Sequence, residues 1–509
     1  MEGWTHGYVA DIDYVFGFYP ELAPRLLSLA MLSKGVRPPP LRGPFTYCEL
    51  GFGQGFSINL LAAANPNGDF WGTDFNPAHA AGAERLAMTV GSKNIHLFDK
   101  SFAEFVDLDT PPFDFIALHG IYSWISADNR RAIVEILRKK LKFGGVVYIS
   151  YNALPGWSAA MPLRELMIGS GAGAAEGTVK RVERALSFAQ RVADLNAGYF
   201  SGNPGVVQRL ALMVAQNRNY LAHEYFNRDW NPQYHAEVAA ELAQAKLVFA
   251  ASAHMPDHID KLNLSDDAQK LLAELSDSTF RETVRDYFVN QQFRRDIFVK
   301  GLQKITPQEQ AEVFNETPFI LTVPRAELNL KVNLGFGQGT LQPEIYHPIA
   351  DGLAEGAATV KELALKHERV RALNPARVVE ALVVLVATGQ AAATLGAEGR
   401  TERDEHCRRF NDHVLNQARF ADELHALASP VTGSGVLSQR FERLFFLARR
   451  SDAGDPGEFA WKILEAQGQR LRKDGKVLEA PADNVRELRR QAEVFEGTRL
   501  PVWEKLGLG

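Results

Sequence analysis

Phe45-Thr46-Tyr47-Cys48-Glu49-Leu50-Gly51-Phe52-Gly53-Gln54-Gly55 decides the fold. The apolar run Phe45 to Leu50 predicts a buried strand, and the pattern Ser57 to Ala64 behind it predicts a helix. The glycines between them make a turn whose backbone N–H groups stay open to a nucleotide-like ligand, since no side chain crowds them. The spacing is G-x-G-x-G, one residue short of the dinucleotide fingerprint, and a carboxylate stands two residues before the first glycine. That acid suits S-adenosylmethionine, whose methionine end carries an ammonium and a sulfonium, better than NAD, whose pyrophosphate needs a helix N-terminus.

Working outward, Asp69 to Thr73 is a second strand-like run ending in Asp74, 23 residues after Gly51, where an acid grips a ribose diol. A third strand, Asn94 to Phe98, ends in Asp99 and leads to Ser101-Phe102, a polar and aromatic pair suited to adenine. Phe113 to Leu118 is continuously apolar, as a parallel strand covered on both faces must be. Its tip is His119-Gly120-Ile121-Tyr122-Ser123-Trp124. Ser126 is placed to cap a helix carrying Ile133, Ile136, Leu137 and Leu141 on one face, which Gly144-Gly145 should end. Val146 to Ser150 is a fifth strand, with Tyr151 to Trp157 at its tip. Strand tips of such a sheet converge on one crevice. The candidate cofactor contacts are therefore Glu49, Gly51, Phe52, Gly53, Gly55, Asp74, Phe75, Asp99, Ser101, Phe102, His119 and Gly120. GFGQG recurs at Gly335 to Gly339, but with no acid before it and no helix after it, and reads there as a hairpin turn.

Five stretches, CELGFGQG (Cys48 to Gly55), GTDFNP (Gly72 to Pro77), FDFIALHGIYSWIS (Phe113 to Ser126), GGVVYISYNALPGW (Gly144 to Trp157) and YLAHEYFNRDWNP (Tyr220 to Pro232), carry a family resemblance. The chain resembles bacterial class I methyltransferases with a methyltransferase regulatory domain, the group that includes the rickettsial protein-lysine methyltransferases. HGIYSW and HEYFNRDW are far more specific than the glycine run. The resemblance covers roughly the first half of the chain. It implies methyl transfer from S-adenosyl-L-methionine, with S-adenosyl-L-homocysteine as product, to lysine amines of a protein.

Further along, the expected architecture is a Rossmann-like α/β seven-stranded class I methyltransferase domain over 1–318, interrupted by a helical insertion at about 160–240 that is a candidate dimer surface. Val206, Leu210, Met213 and Val214 carry its apolar spacing. The missing strands are sought at Lys246 to Ala253 and Arg295 to Lys300. Residues 319–400 read as a winged-helix-like module and 401–509 as a mostly helical C-terminal domain. The 509 residues, 46% of them hydrophobic, suffice for several cores. Two isolated cysteines, Cys48 and Cys407, exclude a disulfide framework or zinc motif. A net charge of -5 and the absence of a membrane-length apolar run argue for a cytoplasmic protein without nucleic-acid or membrane partners.

For the acceptor, Tyr122, Trp124, Tyr151 and Trp157 stand at two adjacent strand tips, beyond the position of the methyl group. One aromatic at such a place is as easily core packing, whereas four together favour a pocket that desolvates an amine and holds its methylated cation. Tyr8, Tyr14, Phe18 and Tyr19 are candidates for a lid. His119 either meets the donor or bonds backbone, and Glu49 either meets the donor's ammonium or only orients the turn. His223-Glu224 lacks the second histidine of a zinc motif, position 227 being Asn227, so no metal is expected. That segment, with Asp229 and Trp230, is expected to cap the pocket or form a dimer contact. A methyltransferase for a small molecule or glycan, and a non-catalytic S-adenosylmethionine-binding regulator, are the alternatives.

Overall fold

The computed structural model describes residues 16–171, 177–334 and 337–509. Strands β1 (Phe45–Leu50), β2 (Gly68–Thr73), β3 (Ile95–Phe98), β4 (Phe113–Leu118), β5 (Leu141–Asn152), β6 (Leu247–Ser252) and β7 (Phe293–Lys300) make one sheet in the order β3-β2-β1-β4-β5-β7-β6. β1 to β5 run parallel, and β7 lies antiparallel between β5 and β6. The order reverses between β1 and β4, so the chain leaves these two strands toward opposite sides and opens a crevice at their carboxyl ends. This is the seven-stranded class I methyltransferase sheet that the strand tips predict.

One expectation fails locally. Ser126 accepts the Asn129 N–H at 3.2 Å and caps the helix Ala127–Lys140, whose Ile133, Ile136 and Leu137 are buried. The helix stops at Lys140, however, and Leu141 already belongs to β5. Gly144, at φ +75°, sits where the β4–β5 register shifts between Phe113 and Phe115. The glycine pair marks a bulge in the strand rather than a helix end.

Between β5 and β6 the described chain is helical, including Met161–Gly171, Thr178–Asp194, Pro204–Val214 and Arg218–Tyr225. Val206, Leu210 and Met213 are buried there, while Val214, in the same run, faces solvent. Past β7, Phe319–Leu321 pairs antiparallel with Ala391–Ala393, and helices Pro343–Glu355, Val360–Lys366 and Pro375–Ala387 lie between them. The second GFGQG joins the antiparallel pair Lys331–Leu334 and Gly337–Thr340, with Gly335 and Phe336 outside the described residues.

The mostly helical C-terminal region bears on the site from behind. The helix Phe56–Ala64, opened by the glycine turn, is buried at every position. A helix buried on every face needs cover on all sides. The sheet supplies one side and the helix Arg400–Gln417 the other: Phe410 stacks on Phe56 at 5.8 Å, and the Cys407 thiol donates to the Ala63 carbonyl at 3.6 Å. Asn65 adds a bond to the Gly433 carbonyl at 2.9 Å. Both cysteines are buried free thiols.

Candidate active site

One cavity opens over the tips of β1, β2, β3 and β4. At its first end the glycine turn approaches as only glycine can. Gly55 has φ +70°, and a Cβ there would fall 2.2 Å from the Ala83 Cβ; Gly51 has φ +74°, and a Cβ would meet the Ile121 Cδ1 at 2.6 Å. The Gly51 N–H ties the turn to β2 by donating to the Thr73 carbonyl at 2.7 Å.

Glu49 and Asp74 face this turn. Burial, and secondarily the Asp74 charge, push the Glu49 carboxyl up to about 8. Its Oε2 is buried and meets no donor among the described residues. An orphaned carboxylate oxygen in a cavity is the complement of a ligand's ammonium. Asp74 accepts the Gly53 N–H at 2.9 Å and the Asn76 N–H at 3.0 Å, with His79 Nδ1 3.3 Å from Oδ1. A carboxylate has about four lone-pair sites, so it keeps room on Oδ2 for a ribose hydroxyl.

Of the predicted cofactor contacts, Glu49, Gly51, Phe52, Gly53, Gly55, Asp74, Phe75, Ser101, Phe102, His119 and Gly120 line the cavity. Asp99 does not. It is exposed beyond the end of β3, and the wall there is Lys100, Ser101 and Phe102. Ser101 also caps its helix in a reciprocal pair with Glu104. His119 is stacked under Tyr19 at 3.8 Å, and its Nδ1 shares a 2.7 Å hydrogen bond with the Tyr148 hydroxyl. Burial pushes it down to about 4, so the ring is neutral at pH 7.

The four aromatics of the strand tips separate. Trp124 lines the cavity. Tyr122, Tyr151 and Trp157 do not, because each has a partner elsewhere. The Tyr122 hydroxyl donates to the Glu241 carboxylate. Tyr151 donates to Asp296 at 2.7 Å, within a buried network that includes Arg294 and His235. Trp157 packs edge-on against Trp230 at 5.2 Å, with the Arg209 guanidinium over its ring at 4.3 Å. Of the lid candidates, Tyr19 lines the cavity, Phe18 is buried, and Tyr8 and Tyr14 lie outside the described residues.

The second end is closed by the helix Arg218–Tyr225 and the loop after it, which contribute His223, Glu224, Asn227 and Asp229. Backbone bonds pin this segment to the strand tips: Asn231 N–H to the Ser123 carbonyl at 2.8 Å, and Gln233 N–H to the Asn152 carbonyl at 3.0 Å. Trp230 lies against Trp124 at 6.0 Å. Burial pushes the Glu224 carboxyl up to about 7. His79, Ile125 and Asn129, not singled out from the sequence, also line the cavity. His79 was findable, since it sits one helical turn after the acid at the β2 tip; the others have no signal of their own. Among the described residues no group of three or more His, Cys, Asp or Glu gathers to hold a metal ion, and no helix is long and apolar enough to cross a membrane.

Residues 48–147 match the family model "Methyltransferase domain", and residues 217–300 match "Predicted methyltransferase regulatory domain". Over 505 residues, 99% of each chain, the sequence is 44% identical to the uncharacterized protein sll1526 of Synechocystis. The chain belongs to the methyltransferases that carry a methyltransferase regulatory domain. A second relative of this methyltransferase, the uncharacterized protein RP028 of Rickettsia prowazekii, is 34% identical over 30% of this chain and 60% of its own length. The fold matches PKMT2 from Rickettsia typhi, solved in complex with AdoHcy, with a TM-score of 0.71 over 97% of this chain and 99% of that one, at 17% identity. The regulatory match covers the helix Arg218–Tyr225 and strands β6 and β7. In this methyltransferase that stretch is therefore part of the sheet and of the cavity wall. S-adenosylmethionine is the methyl donor; the glycine cradle leaves space for it, and the orphaned Glu49 oxygen and Asp74 are complementary to its ammonium and ribose.

Proposed function

We propose that this methyltransferase transfers its methyl group to an amine, the side chain of a lysine in a protein. The observation that carries this reading is the chemistry of the wall beyond the cradle. It offers the Trp124 indole with the Glu224 carboxylate, and the one lysine or arginine among the described lining residues, Lys100, belongs to the adenine end. Such a wall favours a cation over a phosphate or carboxylate acceptor.

When bound, S-adenosylmethionine supplies a methyl carbon already activated by its sulfonium. The residues have three tasks. Glu49 holds the ammonium of the methionine end, Asp74 holds the ribose, and Ser101 with Phe102 borders the adenine. Trp124 offers a ring face to the amine, and the 218–230 segment shuts out water, which keeps the nucleophile aligned with the methyl carbon. The exposed Leu195, Leu212 and Val214 of the helical excursion are read as a surface for a second copy of the chain. The testing experiment is incubation with methyl-labelled S-adenosylmethionine and a bacterial extract. Label in acid-stable methyllysine of protein supports the reading, and label confined to small molecules refutes it.

A further inference from the structure

The cavity holds a carboxylate that the cofactor cradle does not use. Glu49 and Asp74 face the glycine turn, and Asp229 is engaged by its neighbour Arg228 at 3.0 Å. Glu224 makes no hydrogen bond or ion pair among the described residues, though it stands half-buried in the cavity wall. A carboxylate carried into a partly dry wall without a donor is costly unless it meets a ligand's proton or charge. Its place is fixed from the C-terminal side. The segment following its helix is bonded to the tips of β4 and β5, and Trp230 of that segment lies against Trp124. Glu224 thus belongs to the same wall as the indole, remote in sequence from the residues of the cradle.

We propose that Glu224 is the group that receives the proton of the acceptor amine, an inference that rests on the amine reading above. An alkylammonium has no lone pair and cannot attack carbon. Transfer of one N–H proton to the Glu224 carboxylate frees the pair. The N–C bond then forms as the C–S bond of the donor breaks, and that bonding pair stays on sulfur. The product is a methylated ammonium, a neutral thioether and a protonated Glu224 that returns its proton to solvent. Burial supports the role, since it raises this carboxyl to about 7 and makes it a competent base at neutral pH.

The test compares wild type with Glu224→Gln and Glu224→Asp, each checked for native circular dichroism. S-adenosylhomocysteine affinity is measured by calorimetry, and label transfer by single turnover on extract proteins containing lysine or the more acidic thialysine. The expected result is affinity within about twofold, a transfer rate lower by on the order of 100-fold in Glu224→Gln, partial recovery in Glu224→Asp, and a smaller deficit on thialysine. Transfer by Glu224→Gln within threefold of wild type overturns the proposal, as does a deficit equal on both amines, or loss of S-adenosylhomocysteine binding. If wild type labels only small molecules, the lysine reading fails on its own, and the same wild type to Glu224→Gln comparison on that acceptor still decides the role of Glu224.

Discussion

At one end of the cavity the wall is backbone and strand tip, drawn from four consecutive β-units between Glu49 and Gly120; at the other it is a helix and loop that arrive after a long helical excursion. The first end presents glycines at positive φ and acids at strand tips, the groups proposed to hold the donor. On the proposed reading the second accommodates an acceptor and excludes water, with the Trp124 indole of the β4 tip and the Glu224 carboxylate as its principal side chains. The difference teaches that donor and acceptor recognition are separable in this fold, and substitutions at the two ends should fail in different ways.

The largest effect is expected from Gly55→Ala. Its Cβ would fall 2.2 Å from the Ala83 Cβ at a φ of +70°, and strain plus overpacking cost about 2–5 kcal/mol. Thermal denaturation should show the loss, with cofactor binding abolished. Gly82→Ala, one residue from that contact and with nothing within 4 Å of its Cβ, should be neutral or gain up to about 1 kcal/mol. Equal behaviour of the two variants would break the claim that the cradle is shaped by close approach.

Next comes Trp124→Ala, which should slow methyl transfer by on the order of 100-fold with acceptor saturating, through misplacement of the nucleophile. Asp74→Ala should act at the opposite end, weakening S-adenosylhomocysteine by about 1.5–3 kcal/mol in calorimetry. Part of that loss comes through the Gly53 N–H it would orphan.

Legibility in the sequence follows the same divide. Glu49, the glycine turn and Asp74 could be read because backbone geometry dictates their spacing, and β6 and β7 because an open class I sheet lacks two strands without them. Position at a strand tip points Tyr122, Tyr151 and Trp157 toward the pocket, but a tip residue can turn its side chain to either face. Half-buried Glu241 and buried Asp296 and Trp230, all distant in sequence, decide the direction. Trp124 carries no local mark that distinguishes it from Trp157. Asp99 failed for a simpler reason: β3 ends at Phe98, leaving the acid in solvent.

The smallest effect belongs to that misassigned group. Tyr151→Phe removes one buried hydrogen bond to Asp296 and should cost about 1 kcal/mol of stability, with the transfer rate per folded molecule unchanged. A fall in rate without a fall in stability would return Tyr151 to the acceptor site.

The division of the cavity is tested most directly by calorimetric titration of wild type, Glu49→Gln and Trp124→Ala with S-adenosylhomocysteine in buffers of different ionisation enthalpy. In the free protein the Glu49 carboxyl lies at about 8, and a bound ammonium favours its ionised form, so its pKa falls on binding. At pH 7 binding should therefore release close to one proton, and affinity should weaken as pH falls below 8, by at most about tenfold per pH unit. Glu49→Gln should lose at least about tenfold in affinity together with the proton release, while Trp124→Ala should retain both. Proton release persisting in Glu49→Gln, or an affinity that collapses in Trp124→Ala, would contradict it.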